Sequence, residues 1–206
     1  MHINLSGAGK RFNREWIYRR ASLDFFSGNA YAITGHNGSG KSTLLQTLGG
    51  MLQPSEGKIT YTINGKAVKD EDLHQHVAIT APYLDLIEEL TLTEFLDFHF
   101  SFKQYLSGLN AREVINIIGL QAAAHKQIRY YSSGMKQRVK LAQAILCSAP
   151  IVLLDEPCSN LDKQGIELYH SLVERFTKDR LVLVCSNDPV EYSFCNTVLS
   201  ITDWKQ

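Results

Sequence analysis

Short, continuous apolar runs alternate along this chain with stretches whose apolar residues recur at helical spacing. Ala30–Thr34 (AYAIT), Ile151–Leu154 (IVLL) and Leu181–Cys185 (LVLVC) have the length and texture of strands buried on both faces. Ile3–Phe26 reads as strands with a turn, carrying the β-type side chains Trp16, Ile17 and Tyr18. Lys41–Gly49 places Leu44, Leu45 and Leu48 on one helical face. A turn at Gln53–Gly57, a strand over Lys58–Ile63, a hairpin signal at Asn64-Gly65 and a strand over Val77–Thr80 follow. From about Leu84 to Ala124 the alternation stops and helical patterns take over, around Thr93–Phe102 and Ala111–Ile118. An amphipathic helix over Ser133–Cys147 continues that stretch. A helix over Gly165–Lys178 and a last strand over Val198–Thr202 complete the series. Apolar strands interleaved with helices predict an α/β fold, with a mostly parallel sheet covered on both faces and a helical insert.

Composition narrows the partners more than the fold. Lysine plus arginine equals aspartate plus glutamate, so the formal net charge is zero. No basic tract favours nucleic acid, and none is expected as a partner. Cys147, Cys158, Cys185 and Cys195 lie far apart with no CxxC pair, which fits reduced thiols in a cytosolic protein. The N-terminal stretch lacks the apolar segment of a secretory signal. No apolar run approaches the roughly 20 residues of a bilayer span. Work on a membrane would need another chain to supply the span.

The strongest chemical signal is Gly35-His36-Asn37-Gly38-Ser39-Gly40-Lys41-Ser42, which fits G-x-x-x-x-G-K-[ST] between a strand and a helix. Glycines at these points let successive backbone N–H groups converge on phosphate oxygens. The helix that follows presents its positive end to the same anion. Lys41 brings a point charge to the β and γ phosphates, Ser42 offers a hydroxyl to Mg²⁺, and Thr43 is placed to donate to a more proximal phosphate. Gly35, Asn37, Gly38, Ser39, Gly40, Lys41, Ser42 and Thr43 are therefore the candidate nucleotide-binding set of a P-loop NTPase core.

A second signal is the aliphatic run Ile151–Leu154 ending in Asp155 and Glu156. Ligands of open parallel sheets collect at the carboxyl ends of strands. Asp155 is thus a candidate Mg²⁺ holder, through a water, and Glu156 a candidate for polarising the attacking water. Phosphoryl transfer needs little beyond such positioning and charge neutralisation.

The segments around this pair narrow the choice. Upstream, Tyr131-Ser132-Ser133-Gly134-Met135 resembles the LSGGQ signature of ABC ATPases, with its helix following. Downstream, Ser159-Asn160-Leu161-Asp162 resembles their SALD-type D-loop. Order and spacing match that family across nearly the whole chain. The resemblance implies a single ABC ATPase domain over 1–206. In it, 1–82 and 148–206 form the core with an N-terminal antiparallel β subdomain, and 83–147 form an ABC-type α-helical subdomain holding the signature. It also implies that two cassettes pack head to tail around two ATP molecules. Ser132, Ser133, Gly134 and Met135 of one chain would then face the nucleotide of the other, with Asp162 in the D-loop. From the residues alone, Ser132-Ser133 reads as an ordinary helix N-cap. Phe12 stands where the family has its adenine-stacking aromatic. Trp16 or Tyr18 offers the same flat face, and strand packing explains an aromatic there as well.

Two positions depart from the family pattern. Tyr83 occupies the place of a glutamine that helps ligate Mg²⁺. A phenol suits a water of the metal shell better than the metal itself. Asn187 replaces a histidine after the Leu181–Cys185 strand. An amide still donates to the γ-phosphate, but it carries no charge and takes no proton. Losing one charge-assisted contact of about 1.5–3 kcal/mol slows hydrolysis on the order of tenfold to a hundredfold.

The resemblance makes the chain an ATP-hydrolysing subunit that drives transport through separate integral-membrane subunits. It would sit on the cytoplasmic face of the cell membrane and pair with a second ABC ATPase subunit, identical or different. Small cassettes of this kind are similar to the ATP-binding subunits of haem and cytochrome-maturation exporters. A soluble, non-transport ABC ATPase acting as an assembly or regulatory factor is the alternative. The apolar residues Leu84, Leu86, Ile87, Phe95, Phe98, Phe100, Phe102 and Tyr105 divide between subdomain core and a docking groove for the membrane subunits.

Overall fold

The computed structural model describes residues 1–205. Its strands are β1 (His2–Phe12), β2 (Glu15–Phe26), β3 (Ala30–Thr34), β4 (Glu56–Ile63), β5 (Lys66–Ala67), β6 (Val77–Thr80), β7 (Ile151–Asp155), β8 (Leu181–Cys185) and β9 (Thr197–Ser200). Its helices are α1 (Lys41–Leu48), α2 (Leu73–His76), α3 (Leu92–Phe102), α4 (Ala111–Ile117), α5 (Ser133–Ile145), α6 (Lys163–Phe176) and α7 (Pro189–Tyr192). Internal contacts divide the chain into two compact units. One comprises Met1–Ile79, Pro150–Asp155 and Asp179–Gln206, and the other Thr80–Ala149 and Glu156–Lys178. Helix α6 thus groups with the helical segment.

The first unit holds two sheets. One is antiparallel, in the order β2-β1-β4-β5, and the other has five strands in the order β6-β7-β8-β3-β9. Within the second sheet β3 runs parallel to β8 and β9, and β7 parallel to β8. The apolar runs read from the sequence are its central strands. Every residue of β7 and β8 is buried, and Leu44, Leu45 and Leu48 of α1 join the same core with Ile33, Leu153 and Leu183. The parallel register places Ile33, Cys185 and Asp155 in one row. The segments leaving β3, β8 and β7 therefore emerge at one edge, about 5 Å apart from strand to strand.

In the second unit, helix starts are set by side-chain caps. Thr91 and Glu94 form a capping box at α3, Asn110 accepts from the Glu113 N–H at α4, and Asp162 accepts from the Gly165 N–H at α6. The cap at Asp162 makes α6 begin two residues before the expected Gly165. Helix α5 stops at Ile145, short of the expected Cys147, because the next residues pair with another segment. Cys147 bridges Tyr105, the Leu106 N–H donates to the Leu146 carbonyl (3.0 Å), and the Ser148 N–H donates to the Gln104 carbonyl (2.9 Å). The last strand, β9, lies at Thr197–Ser200 and not at Val198–Thr202. Ser200 caps a 3-10 turn over Ile201–Trp204 that ends it.

Candidate functional site

The segment between β3 and α1 gathers a helix start without a side-chain cap, a buried ammonium and a buried hydroxyl. Gly40 is the N-cap of α1 at φ 103°, with no side-chain cap, so the first N–H groups of the helix are left to other partners. A Cβ on Gly40 would lie 2.3 Å from Cγ2 of Ile17 on β2, so only glycine lets that strand close against the loop. Lys41 is 5% exposed, and its ammonium donates to the carbonyls of Gly35 (2.5 Å) and His36 (3.4 Å). Among the described residues it forms no ion pair with a carboxylate. Ser39 is 1% exposed, and its hydroxyl is buried with no hydrogen-bond partner. A buried cation held only by carbonyls, an orphaned buried hydroxyl and an uncapped helix start fit a bound polyphosphate. Ser42 and Thr43 are half-buried in the first turn of α1, while Asn37 and Gly38 are exposed.

Asp155 ends β7 with 2% exposure, in the row shared with Ile33 and Cys185. Among the described residues no three histidine, cysteine, aspartate or glutamate side chains gather as a metal site. A hydroxyl such as Ser42 and one carboxylate fit a Mg²⁺ whose remaining ligands are phosphate oxygens and water.

Asn187 follows β8 at the same edge. Its Oδ1 accepts from the Gly35 N–H (3.1 Å), and its Nδ2 donates to the Asn37 side-chain oxygen (3.2 Å). The structure also separates the three aromatics. Tyr18 is fully buried, and burial pushes its phenol up to about 12. Trp16 carries the guanidinium groups of Arg19 and Arg11 at 4.5 and 5.5 Å from its ring. Phe12 is 47% exposed at the tip of the β1–β2 hairpin, paired with Glu15.

In the second unit, Ser132 is the exposed N-cap of α5, and its hydroxyl accepts from the Met135 N–H (3.2 Å). A hydroxyl that accepts still has a proton to donate. Ser133 is exposed beside it, and Met135 is half-buried. A Cβ on Gly134 would stand 3.2 Å from the Asn160 carbonyl. Buried Gln137 donates from Nε2 to the Pro157 carbonyl (2.7 Å), and Arg138 lies 3.5 Å from Asp162. These contacts fasten the α5 start to the turn that follows Glu156. In that turn Glu156 has φ 44° and Asn160 φ 64°, and the Glu156 carbonyl accepts from the Ser159 N–H (3.1 Å). A glutamate in the left-handed region carries strain of order 1 kcal/mol, a cost found at functional positions. Tyr83 is exposed in the turn after β6.

The structure thus brings Gly35–Thr43, Asp155, Asn187 and Phe12 into one unit, and Ser132–Met135, Glu156, Asp162 and Tyr83 into the other. Ile17 against Gly40, Asn37 against Asn187 and Gln137 against Pro157 were missed by sequence reasoning. Each joins residues distant in sequence and carries no local pattern.

A family model described as ABC transporter matches residues 18–159. The cytochrome c biogenesis ATP-binding export protein CcmA of Rhizobium etli is 30% identical over 198 residues, spanning 92% of this chain and 90% of that protein. A putative ABC transporter ATP-binding protein from Pyrococcus furiosus superposes with a TM-score of 0.84 at 22% identity, each chain covered in full. A dimeric ATP-binding cassette solved in a post-hydrolysis state with ADP and Pi gives 0.82 at 24% identity, covering 96% of this chain and 93% of that one. At these identities the two structures show a shared fold.

Proposed function

The chain belongs to the ABC transporter family, as an ATP-binding subunit built on the ABC ATPase cassette, and from that premise we propose how its residues bind and hydrolyse MgATP. The observation that carries the reading is the buried Lys41 ammonium, held by loop carbonyls beside the orphaned Ser39 hydroxyl. Lys41 and the N–H groups of Gly38 to Thr43 take the β and γ phosphates, and Phe12 offers its open face to the base. Ser42, directly, and Asp155, through a water, would hold Mg²⁺, which would supply charge neutralisation on the phosphates. Tyr83 would support a water of that shell. Glu156 polarises the water whose oxygen attacks the γ-phosphorus, with ADP as the leaving group.

The Ser132 hydroxyl and the α5 N-terminus, with Ser133, Gly134 and Met135, serve the nucleotide of a second ABC subunit packed head to tail. Asp162 lies in the loop that such a pairing uses. Integral-membrane subunits are the other partners, which places the chain on the cytoplasmic face of the cell membrane. Among the described residues no helix is long and apolar enough to cross a membrane. Ile87, Phe98 and Phe102 stay exposed in the helical unit, whereas Leu86, Phe95 and Phe100 are buried. The exposed three are the candidates for that docking. The export activity in the name of the Rhizobium relative supports transport as the output.

Hydrolysis is slow in this reading. Asn187 has one N–H left for the γ-phosphate after its two loop contacts, and it brings no charge. Single-turnover hydrolysis of the purified chain tests this, alongside Glu156→Gln and Asn187→His. Glu156→Gln should bind ATP and fail to turn it over, and Asn187→His should raise the rate on the order of tenfold to a hundredfold. A wild-type chain that binds no ATP with magnesium present rejects the reading. A rate that Asn187→His leaves unchanged rejects the slow-hydrolysis part.

A further inference from the structure

We infer that Asn187 is a positioning residue for the phosphate loop itself, clamping Gly35 and Asn37 in the form that accepts a diphosphate, in addition to any contact with a γ-phosphate. The inference takes its ligand from the proposed function, but the clamp stands on contacts within the protein. One amide spans two loop residues, with Oδ1 on the Gly35 N–H at 3.1 Å and Nδ2 on Asn37 Oδ1 at 3.2 Å. The Gly35 N–H can only donate, so it fixes which end of the Asn187 amide faces it. Nδ2 must then face Asn37.

The same residue is held at its other end as well, since the Gly35 carbonyl, in the next peptide group, accepts from Lys41 Nζ. Lys41 also reaches the His36 carbonyl, and the Ser39 N–H closes a turn on that carbonyl at 3.0 Å. Lys41 thus holds the carbonyls of Gly35 and His36, and Asn187 holds the Gly35 N–H. Gly35 needs this help. It sits at φ 144°, a conformation that glycine reaches freely and leaves as freely.

Asn187 itself stands on a fixed base. The Ser186 N–H extends the sheet ladder to the Ile33 carbonyl (3.2 Å), and Ser186 is buried. The Ser186 hydroxyl accepts from the Asp188 N–H (2.9 Å), and Asp188 caps α7 through the Val190 N–H (2.9 Å). The residues on both sides of Asn187 are therefore held, and its amide meets the loop with little freedom to lose. Ordering a loop before the ligand arrives strengthens binding of any ligand the ordered loop grips.

The test is ADP, which lacks the γ-phosphate. With magnesium present, calorimetric titration of the full chain should show Asn187→Ala weakening ADP about three- to tenfold. Asn37→Ala should weaken it less, and the double variant should match Asn187→Ala alone, because the two side chains share a bond. Amide-resolved hydrogen exchange on the nucleotide-free chain should show the Gly35 N–H exchanging at least about fivefold faster in Asn187→Ala, with α6 amides unchanged. ADP affinities within twofold of wild type, additive losses in the double variant, or an unaltered Gly35 exchange rate each overturn the clamp. A wild-type chain that binds no ADP would instead sink the nucleotide reading, and the exchange measurement would still decide the clamp.

Discussion

Gly40→Ala is the sharpest perturbation the structure offers, because its cost divides into two parts that can be measured separately. The first part is backbone. Gly40 holds φ 103°, and an L-residue in the left-handed region gives up about 1–2 kcal/mol. The second part is contact. The new Cβ would sit 2.3 Å from Ile17 Cγ2, where carbon atoms ordinarily rest about 3.5–4.0 Å apart. Cγ2 is a branch at Cβ of a stiff residue, so it cannot swing away without leaving its rotamer. Overpacking of this kind costs about 1–3 kcal/mol. The sum, about 2–5 kcal/mol, corresponds to a fall in melting temperature of about 4–20 °C for a chain of this size. Thermal melting followed by circular dichroism reads it directly. Ile17→Ala removes Cγ2 and costs about 1–2 kcal/mol from its half-buried site. In the Gly40→Ala background the same change should restore about 1–3 kcal/mol of the contact part and leave the backbone part. Melting of Gly40→Ala within about 2 °C of wild type, or simple addition of the two single losses, would refute the close approach of β2 to the loop.

Two further outcomes follow from groups away from the loop. Asp162→Ala removes the α6 cap to the Gly165 N–H (2.8 Å) and should lower stability by about 1 kcal/mol, or about 2–4 °C, while Asp162→Asn keeps most of it; equal melting of all three chains would contradict the cap. Burial pushes Tyr18 from 10.0 to about 12 and Cys195 from 9.0 to about 12. Both groups are neutral when protonated and hold their protons more tightly in the fold. Stability should therefore stay level below about pH 9 and fall as pH rises from there toward 12. Melting temperatures taken across that range, with the ultraviolet band of tyrosinate as the second signal, check the sign; a level profile to pH 12 would contradict it.

What the sequence made legible was whatever local periodicity or a fixed motif encodes. The apolar runs at β3, β7 and β8 and the leucines of α1 stand where their spacing placed them, because burial on both faces leaves no other texture. Gly35–Ser42 was legible because a phosphate cradle constrains residue types at each point. Element ends were less so. The ends of α5 and β9 depend on the pairing of 104–106 with 146–148 and on a serine cap, neither of which shows in a window of neighbours. The antiparallel sheet was readable as strands but not as a register. Its β1–β2 pairing shifts between Leu5 and Ala8 and again toward Arg11, so strict alternation fails there. The partners of Asn187 were hidden for the same reason. A substitution for histidine reads as a loss when only the missing ring is considered, and the two contacts to Gly35 and Asn37 exist only once β8 lies beside β3.

The backbone at Glu156 also bears on how this protein would fare in the laboratory. Its φ of 44° suits glycine or asparagine better than glutamate. A mutant library sorted only for heat tolerance or solubility should therefore drift at this position toward those two residues. Each gain would remove the carboxylate proposed above to polarise the attacking water. Selection for robustness alone would thus yield sturdier chains that hold nucleotide and no longer spend it, so any stabilisation campaign on this scaffold needs turnover in the screen.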